Sequence, residues 1–153
     1  MKVSLTVNGR PAEADVRPQE LLLDFVRDQV GLTGAKRSCE VQVCGACTVL
    51  VGGAPVSACC YLVADADGLD VLTIEGLSET PEFEPLADAF TRHAALQCGF
   101  CTPGMLLTVK SLLDAGELDS AESIKHGLAG NLCRCTGYKA ILDAVAELAQ
   151  VAA

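Results

Sequence analysis

The chain has 153 residues, half of them hydrophobic but none of them tryptophan, and a formal net charge of −9 at pH 7. This length allows one or two small domains, and the acidic balance excludes a typical nucleic-acid-binding surface, which is basic. The apolar runs are far shorter than the roughly 20 residues of a membrane-spanning helix, so no membrane span is predicted.

The first half of the sequence predicts strands around one helix. Apolar residues alternate from Lys2 to Asn8, and Asn8-Gly9 is typical of a two-residue hairpin turn. Because this strand follows Met1 directly, we expect no signal peptide and a reducing cytoplasm. This half is therefore predicted to be a small α+β domain with a mixed sheet. Its further elements are a returning strand at 11–16, a helix from Pro18 to about Gly31, and strands at 48–51, 54–58 and 70–74.

The second half predicts helices after a break. Turn formers and acidic residues follow Gly76, which predicts a linker at 77–84 between domains 1–76 and 85–153. Four helices of this length predict a small bundle. The first is expected at 85–95 and the fourth at 138–151. The second is expected to begin at a Thr102 cap, with Pro103 at the first helical position. The third is expected to run from an Asp119 cap to a stop at Gly130-Asn131.

Eight of the nine cysteines form two sets of four, and the first set is Cys39, Cys44, Cys47 and Cys59. Its C-x4-C-x2-C start is the spacing of plant-type [2Fe–2S] sites, whereas zinc sites more often pair two short C-x2–4-C elements. Buried free thiols are the other alternative. Adjacent residues of a strand point to opposite faces, so Cys59 or Cys60, but not both, can reach the site. We choose Cys59 as the fourth ligand and expect Cys60 to be a small buried hydrophobic residue.

The second set is Cys98, Cys101, Cys133 and Cys135. Each of its two pairs precedes a predicted helix, and helix N-termini favour negatively charged groups such as thiolate-bound clusters. A C-x-C pair is unusual in zinc fingers and poorly shaped for a disulfide. The sequence therefore predicts two [2Fe–2S] clusters in one chain, which makes it an electron carrier.

Three strings give the chain a family resemblance: Cys44-Gly45-Ala46-Cys47-Thr48-Val49, the run from Gln97 to Met105, and the run from Gly130 to Tyr138. They resemble the small iron–sulfur subunit of the molybdenum hydroxylases, the family of xanthine dehydrogenase, aldehyde oxidase and bacterial carbon monoxide dehydrogenase. The resemblance covers essentially the whole chain. It implies a plant-type ferredoxin-like (β-grasp) domain followed by a small four-helix-bundle [2Fe–2S] domain.

The resemblance also implies partners. A large subunit would carry the molybdopterin cofactor and a medium subunit would carry FAD, in a heterotrimer or a dimer of heterotrimers. Electrons would pass from molybdenum to the second cluster, then to the first cluster and to FAD. By the same resemblance, Gln97 would hydrogen-bond the pterin and Cys135 would lie close to it. The oxidised substrate, which could be an N-heterocycle, an aldehyde, carbon monoxide or a thioester, would be bound by the partner.

The sequence departs from the family pattern in the first loop, where Ser38 and Gln42 replace residues that are commonly glycine. Gln42 could change the loop turn or the hydrogen bonds to the cluster. Two other functions stay open, a free-standing two-cluster ferredoxin and a non-catalytic zinc or scaffold protein. The chain has no glycine-rich phosphate loop and is too short for flavin and pterin domains, so it is predicted to be one subunit of a larger enzyme.

Overall fold

The structure, a computed structural model, describes residues 1–151. Its strands are β1 (Lys2–Val7), β2 (Arg10–Asp15), β3 (Thr48–Val51), β4 (Ala54–Ser57) and β5 (Asp70–Leu72). They form one five-stranded mixed sheet in the order β2-β1-β5-β3-β4. β1 and β5 are parallel, and the other neighbours are antiparallel.

The first hairpin is as predicted. Val3, Leu5 and Val7 are buried in β1 while the residues between them are more exposed, because alternate side chains of a strand face opposite sides. Asn8 and Gly9 both have positive φ, 51° and 73°, which the turn between two twisted strands requires. The pairing register of β1 with β2 places Val7 opposite Arg10.

The predicted first helix is shorter than expected. α1 (Leu22–Asp24) continues as one π-helical turn (Phe25–Gln29), so the expected start at Pro18 is wrong by four residues. The delay has a local cause, because Leu21 is extended and forms an isolated bridge with Leu62. The helix packs on the sheet through fully or almost fully buried side chains, which are Leu22, Leu23, Phe25 and Val26.

All helices expected in the second half are present, together with one that was not predicted. The helices are α2 (Ile74–Ser78), α3 (Phe83–Arg92), α4 (Thr102–Asp114), α5 (Ala121–Gly127) and α6 (Lys139–Ala149). α2 begins where the strand at 70–74 was predicted to end, and Leu77, the first residue of the predicted linker, is fully buried. The division into domains 1–76 and 85–153 stays a prediction.

Two of the predicted helix starts are wrong by one residue. Ser120, not Asp119, caps α5: its hydroxyl accepts from Ser123 N at 3.1 Å, and Ser123 Oγ accepts from Ser120 N at 3.0 Å. Ser120 has the extended backbone that a cap needs, which sequence spacing alone does not reveal. Thr102 lies inside α4, whose N-cap is Cys101.

β3 joins the two halves of the molecule. Val49 and Val51 face the core between the sheet and α1, whereas Leu50 faces the helical core that includes Phe90 and Met105. All four residues of β3 are buried, because α4 packs against the strand on one side and the core that includes Leu22 and Phe25 lies on the other. The mixed sheet and its helices thus confirm the predicted α+β class. Within residues 1–151, no helix combines the length and the apolar character needed to cross a membrane.

Candidate metal centres

The first cysteine loop is irregular, and several of its backbone N–H groups face one sulfur. The amides of Val43 and Cys44 both donate to Cys39 Sγ at 3.4 Å. The N–H groups of Val41, Val43 and Cys44 lower the pKa of Cys39 to about 6, because they stabilise the thiolate. Cys39 also interacts with the Cys44 side chain. These two cysteines form the more exposed pair of the first set.

Cys47 and Cys59 form the buried pair of the same set. Burial raises the pKa of Cys47 to about 12, and the neighbouring Cys59 thiol adds to the rise. Cys47 comes from the end of the loop, and Cys59 follows β4. The structure therefore places the four residues predicted for this set as two pairs, of which Cys39 and Cys44 are partly exposed and Cys47 and Cys59 are buried.

Cys60 does not lie where it was predicted. It is exposed rather than buried, and its Sγ lies 3.8 Å from Cys59 Sγ. The prediction assumed a strand, but Ala58–Cys60 is a 3₁₀ turn. Successive side chains of such a turn diverge by about 120°, rather than pointing to opposite faces as in a strand, so two neighbouring sulfurs can approach each other. Cys59 is the buried member of the two, and its choice as the fourth ligand stays a prediction.

Gln42 occupies a backbone conformation that favours glycine. Its φ is 58°, in the left-handed region, and Glu40 two residues earlier has φ 56°. A side chain in this region costs about 1–2 kcal/mol, which explains why a glycine suits this position. Ser38, the other departure from the family pattern, has no such positive φ. The chain therefore carries some loop strain at Gln42 but none of this kind at Ser38.

The second cysteine set also consists of two close pairs, each formed across the two segments. Cys98 Sγ and Cys135 Sγ are 3.6 Å apart, and the Cys101 and Cys133 side chains interact with each other. Burial raises the pKa of Cys101 to about 12. The contact with the Cys98 thiol raises the pKa of Cys135. Cys98 and Cys101 precede α4, as predicted, and the other two lie before α6.

Two residues that the sequence analysis did not assign hold the second set in place. Thr136 Oγ1 donates to Cys133 Sγ at 3.1 Å. Burial acts to raise the pKa of Cys133, but the hydrogen bonds from Thr136 and Cys135 outweigh it and lower the pKa. The Tyr138 hydroxyl accepts from Cys133 N at 2.9 Å and donates to Asn131 O at 3.0 Å. The sequence does contain a sign of this hydrogen bond, because Thr136 is a polar residue three positions after the predicted ligand Cys133.

The two cysteine sets meet at a backbone contact. Leu132 N donates to the carbonyl oxygen of Cys44 at 2.8 Å, so residues adjacent to both sets share one hydrogen bond. Gly45 has φ 67° and no room for a side chain, because a Cβ there would collide with Gly130 O and the Asn131 amide. Gly45 thus allows the second half of the chain to approach the first loop closely.

Both sets suit a group with two metal atoms. Each iron of a [2Fe–2S] cluster takes two thiolates, and each set offers its thiols as two pairs. No three His, Cys, Asp or Glu side chains of residues 1–151 are grouped as for one metal ion. A cavity of about 440 Å³ has all four cysteines of the second set in its wall, together with Cys44.

The remaining predicted contact residue lies at the surface. Gln97 is exposed, next to the exposed Cys98 and near the exposed Cys135. Three apolar side chains of the same segments are also exposed, which are Leu96, Phe100 and Leu132. This apolar surface is not evident in the sequence, because exposure depends on how the segments pack. His93 Nε2 contacts Glu147 Oε2 at 2.6 Å.

Comparison with known proteins gives two matching family models. Residues 5–70 match a 2Fe-2S iron-sulfur cluster binding domain, and residues 73–146 match a [2Fe-2S] binding domain. Together they span most of the chain, and each contains one of the two cysteine sets.

Individual relatives match over nearly their whole length. The small subunit of nicotine 6-hydroxylase from Paenarthrobacter nicotinovorans is 46% identical over 96% of this chain and 88% of its own. The xanthine dehydrogenase iron-sulfur-binding subunit of Escherichia coli O157:H7 is 39% identical over 95% and 92%. Quinoline 2-oxidoreductase from Pseudomonas putida 86 superposes with a TM-score of 0.88 at 47% identity, over 98% of this chain and 96% of that one.

Aldehyde oxidoreductase from Megalodesulfovibrio gigas shows the same likeness inside a longer chain. It is 42% identical over 96% of this chain, which corresponds to 16% of its own length. The family predicted from the three sequence strings is thereby confirmed. The chain belongs to the small iron–sulfur subunits of the molybdenum hydroxylase family, which serve dehydrogenases and oxidoreductases of the xanthine dehydrogenase type.

Proposed function

We propose that this chain is an electron-transfer subunit that carries two [2Fe–2S] clusters. Cys39, Cys44, Cys47 and Cys59 would bind the first cluster, and Cys98, Cys101, Cys133 and Cys135 the second. The subunit would relay electrons from a molybdopterin-bearing large subunit to an FAD-bearing medium subunit. In this proposal the ferredoxin-like β-grasp domain, residues 1–76, holds the first cluster, and a four-helix bundle, residues 85–153, holds the second.

One observation carries the proposal, namely that two separate sets of paired thiols lie on segments joined directly by a backbone hydrogen bond. The bond from Leu132 N to Cys44 O connects residues that lie next to, or within, the two sets. Electron tunnelling weakens steeply with distance and is favoured by a continuous path of bonds. A carrier with two centres needs such a contact, whereas two independent metal sites do not.

The chain itself prepares the ligands and tunes the sites. When bound, each cluster supplies one-electron oxidation and reduction. The loop N–H groups stabilise negative charge on Cys39, and Thr136 does so on Cys133. Thiolates are the form that binds iron, and hydrogen bonds to sulfur also help to set the potential of a cluster.

The exposed residues suit two partner contacts. Gln97 and Cys135 lie exposed beside the apolar side chains of Leu96, Phe100 and Leu132, and this surface would meet the molybdopterin-bearing subunit. On the first loop, Val41 and Val43 are exposed near Cys39 and would face the FAD-bearing subunit. The substrate would be oxidised in the large subunit. All nine cysteines are free, which suits a reducing compartment, so we place the complex in the cytoplasm.

Metal and flavin analysis tests the proposal. The chain would be tagged in its native host, purified gently, and its iron, molybdenum, zinc and FAD measured per small chain. About four iron atoms with one molybdenum and one FAD are expected, since each cluster holds two irons. Four irons without molybdenum or FAD would favour a two-cluster ferredoxin, and zinc without iron would exclude the electron-transfer function.

A further inference from the structure

The contact between the two cysteine sets includes a buried polar side chain with no assigned function. Asn131 is only 4% exposed and belongs to the segment that leads into Cys133. The sequence pattern suggested only a helix stop, but α5 already ends at Gly127. A buried amide is costly unless it is hydrogen-bonded, so its partners indicate what it does.

Asn131 binds across the boundary between the two halves of the molecule. Its Nδ2 donates to the carbonyl oxygen of Gly45 at 3.3 Å and to Thr48 Oγ1 at 3.4 Å. The Thr48 hydroxyl in turn donates to Gly45 O at 2.7 Å, so the three groups form a closed arrangement. Gly45 and Thr48 flank Cys47, and Gly45 directly follows Cys44. Asn131 therefore holds the part of the first loop that carries two of its cysteines.

The backbone on the other side of Asn131 is held equally well. Its carbonyl accepts from the Tyr138 hydroxyl, which also accepts from Cys133 N. Leu132, between them, donates to Cys44 O. The segment from Asn131 to Cys133 is thus fixed to α6 through Tyr138 and to the first loop through the Asn131 side chain.

We propose that Asn131, Gly45 and Thr48 form a clamp, the Asn131 clamp, in which Asn131 is a positioning residue that fixes the distance between the two cluster sites. The inference rests on the electron-transfer function proposed above. Without the clamp, the Leu132–Cys44 bond would be the only hydrogen bond of this group across the boundary. The first loop would then fluctuate relative to the second set, and the path for electrons would lengthen.

The test uses matched variants of the intact subunit in its purified complex. Asn131→Asp keeps the side-chain size but places a carboxylate oxygen against Gly45 O. Asn8→Asp is the control: Asn8 also bridges two elements, with Nδ2 donating to Thr73 Oγ1 at 3.0 Å and Oδ1 accepting from Thr73 N at 2.9 Å. Thr48→Val, which is nearly isosteric, removes the second partner of the clamp.

Two readouts report on the clamp. The first is the magnetic coupling between the two reduced clusters in electron paramagnetic resonance, which falls with the cube of their separation. The second is hydrogen exchange of the Leu132 amide. We expect a weaker coupling, with the iron content kept, and exchange faster by about fivefold, the factor for the net free energy of one hydrogen bond. Asn8→Asp should leave both at wild-type values.

Unchanged coupling and unchanged exchange in Asn131→Asp or Thr48→Val at full iron content would overturn the clamp. Loss of iron from both variants, with Asn8→Asp intact, would also overturn it, since the residues would then serve cluster retention rather than spacing. A wild-type complex without two cluster signals would instead remove the proposed function. The exchange rate needs no cluster signal, so it separates the two failures.

Discussion

Cysteines of the first set lie in opposite electrostatic surroundings. Backbone N–H groups lower the pKa of Cys39 to about 6, whereas burial raises the pKa of Cys47 to about 12. At neutral pH the partly exposed Cys39 is already largely a thiolate, and the buried Cys47 must release a proton when it binds metal. Assembly of the first cluster is therefore expected to begin at Cys39 and to release protons.

The adjacent cysteines Cys59 and Cys60 give a prediction at this scale. Cys60→Ala should keep about four iron atoms per chain, whereas Cys59→Ala should keep about two, because only the first cluster loses a ligand. Iron analysis and visible absorption of the purified variants check this. The two variants control for each other, since each removes one sulfur from the same turn. Four irons in Cys59→Ala would show that Cys60, 3.8 Å away, can replace its neighbour.

At the scale of elements, α4 is positioned by a glycine. A Cβ on Gly104 would collide with the carbonyl oxygen of Gly45, so the helix start lies directly against the first cysteine loop. The absence of a side chain allows α4 to cover β3 and brings the two sets together. Gly104 has an ordinary φ, so close approach rather than backbone conformation requires the glycine.

Gly104→Ala is therefore expected to lower the free energy of unfolding by roughly 1–3 kcal/mol, the usual cost of overpacking. Thermal or denaturant unfolding of the intact subunit measures the change. Gly130→Ala is the matched control, because Gly130 has no positive φ and nothing within 4 Å of an added Cβ. Equal stability of the two variants would contradict the close packing of α4 on the loop.

The cap of α5 gives a second prediction for an element. Ser120→Ala removes the capping hydroxyl and should lower the free energy of unfolding by about 1 kcal/mol. Asp119→Ala, the residue that the sequence pattern favoured as the cap, should change it much less. Denaturant unfolding of both variants decides between the two positions. A larger loss in Asp119→Ala would mean that the helix begins one residue earlier than in the structure.

For the whole molecule, one hydrogen-bond network connects the first hairpin, the start of α2 and Gly34, which lies before the cysteines of the first set. Asn8 bonds to Thr73, the Thr73 hydroxyl donates to Glu75 Oε2 at 2.7 Å, and Gly34 N donates to Glu75 Oε1 at 2.7 Å. Partial burial acts to raise the pKa of Glu75, but the bonds from Thr73 and Gly34 outweigh it and lower the pKa. The ionised carboxylate therefore stabilises the fold.

This shift sets the direction of a pH effect. The contribution of Glu75 is fully present above its ordinary pKa of 4.5 and is lost as the pH falls through the lower value of the folded chain. Glu75→Gln should therefore lower the melting temperature at pH 7, and the difference from wild type should shrink below pH 4.5. Glu84→Gln, at an exposed position of α3, is the control. A difference that grows toward acidic pH would contradict the assignment.

The sequence by itself determined the two cysteine sets, the family, the α+β class and most elements, because spacing and hydrophobic period are local properties. The same locality explains the errors at Pro18, Asp119 and Cys60, where a bridge, a cap and a 3₁₀ turn depend on backbone conformation. Only the tertiary structure decided which thiols pair and how the sets meet. Contacts such as Asn131 with Gly45 join residues far apart in the chain, and the packing of α4 against β3, not a sequence pattern, brings them together.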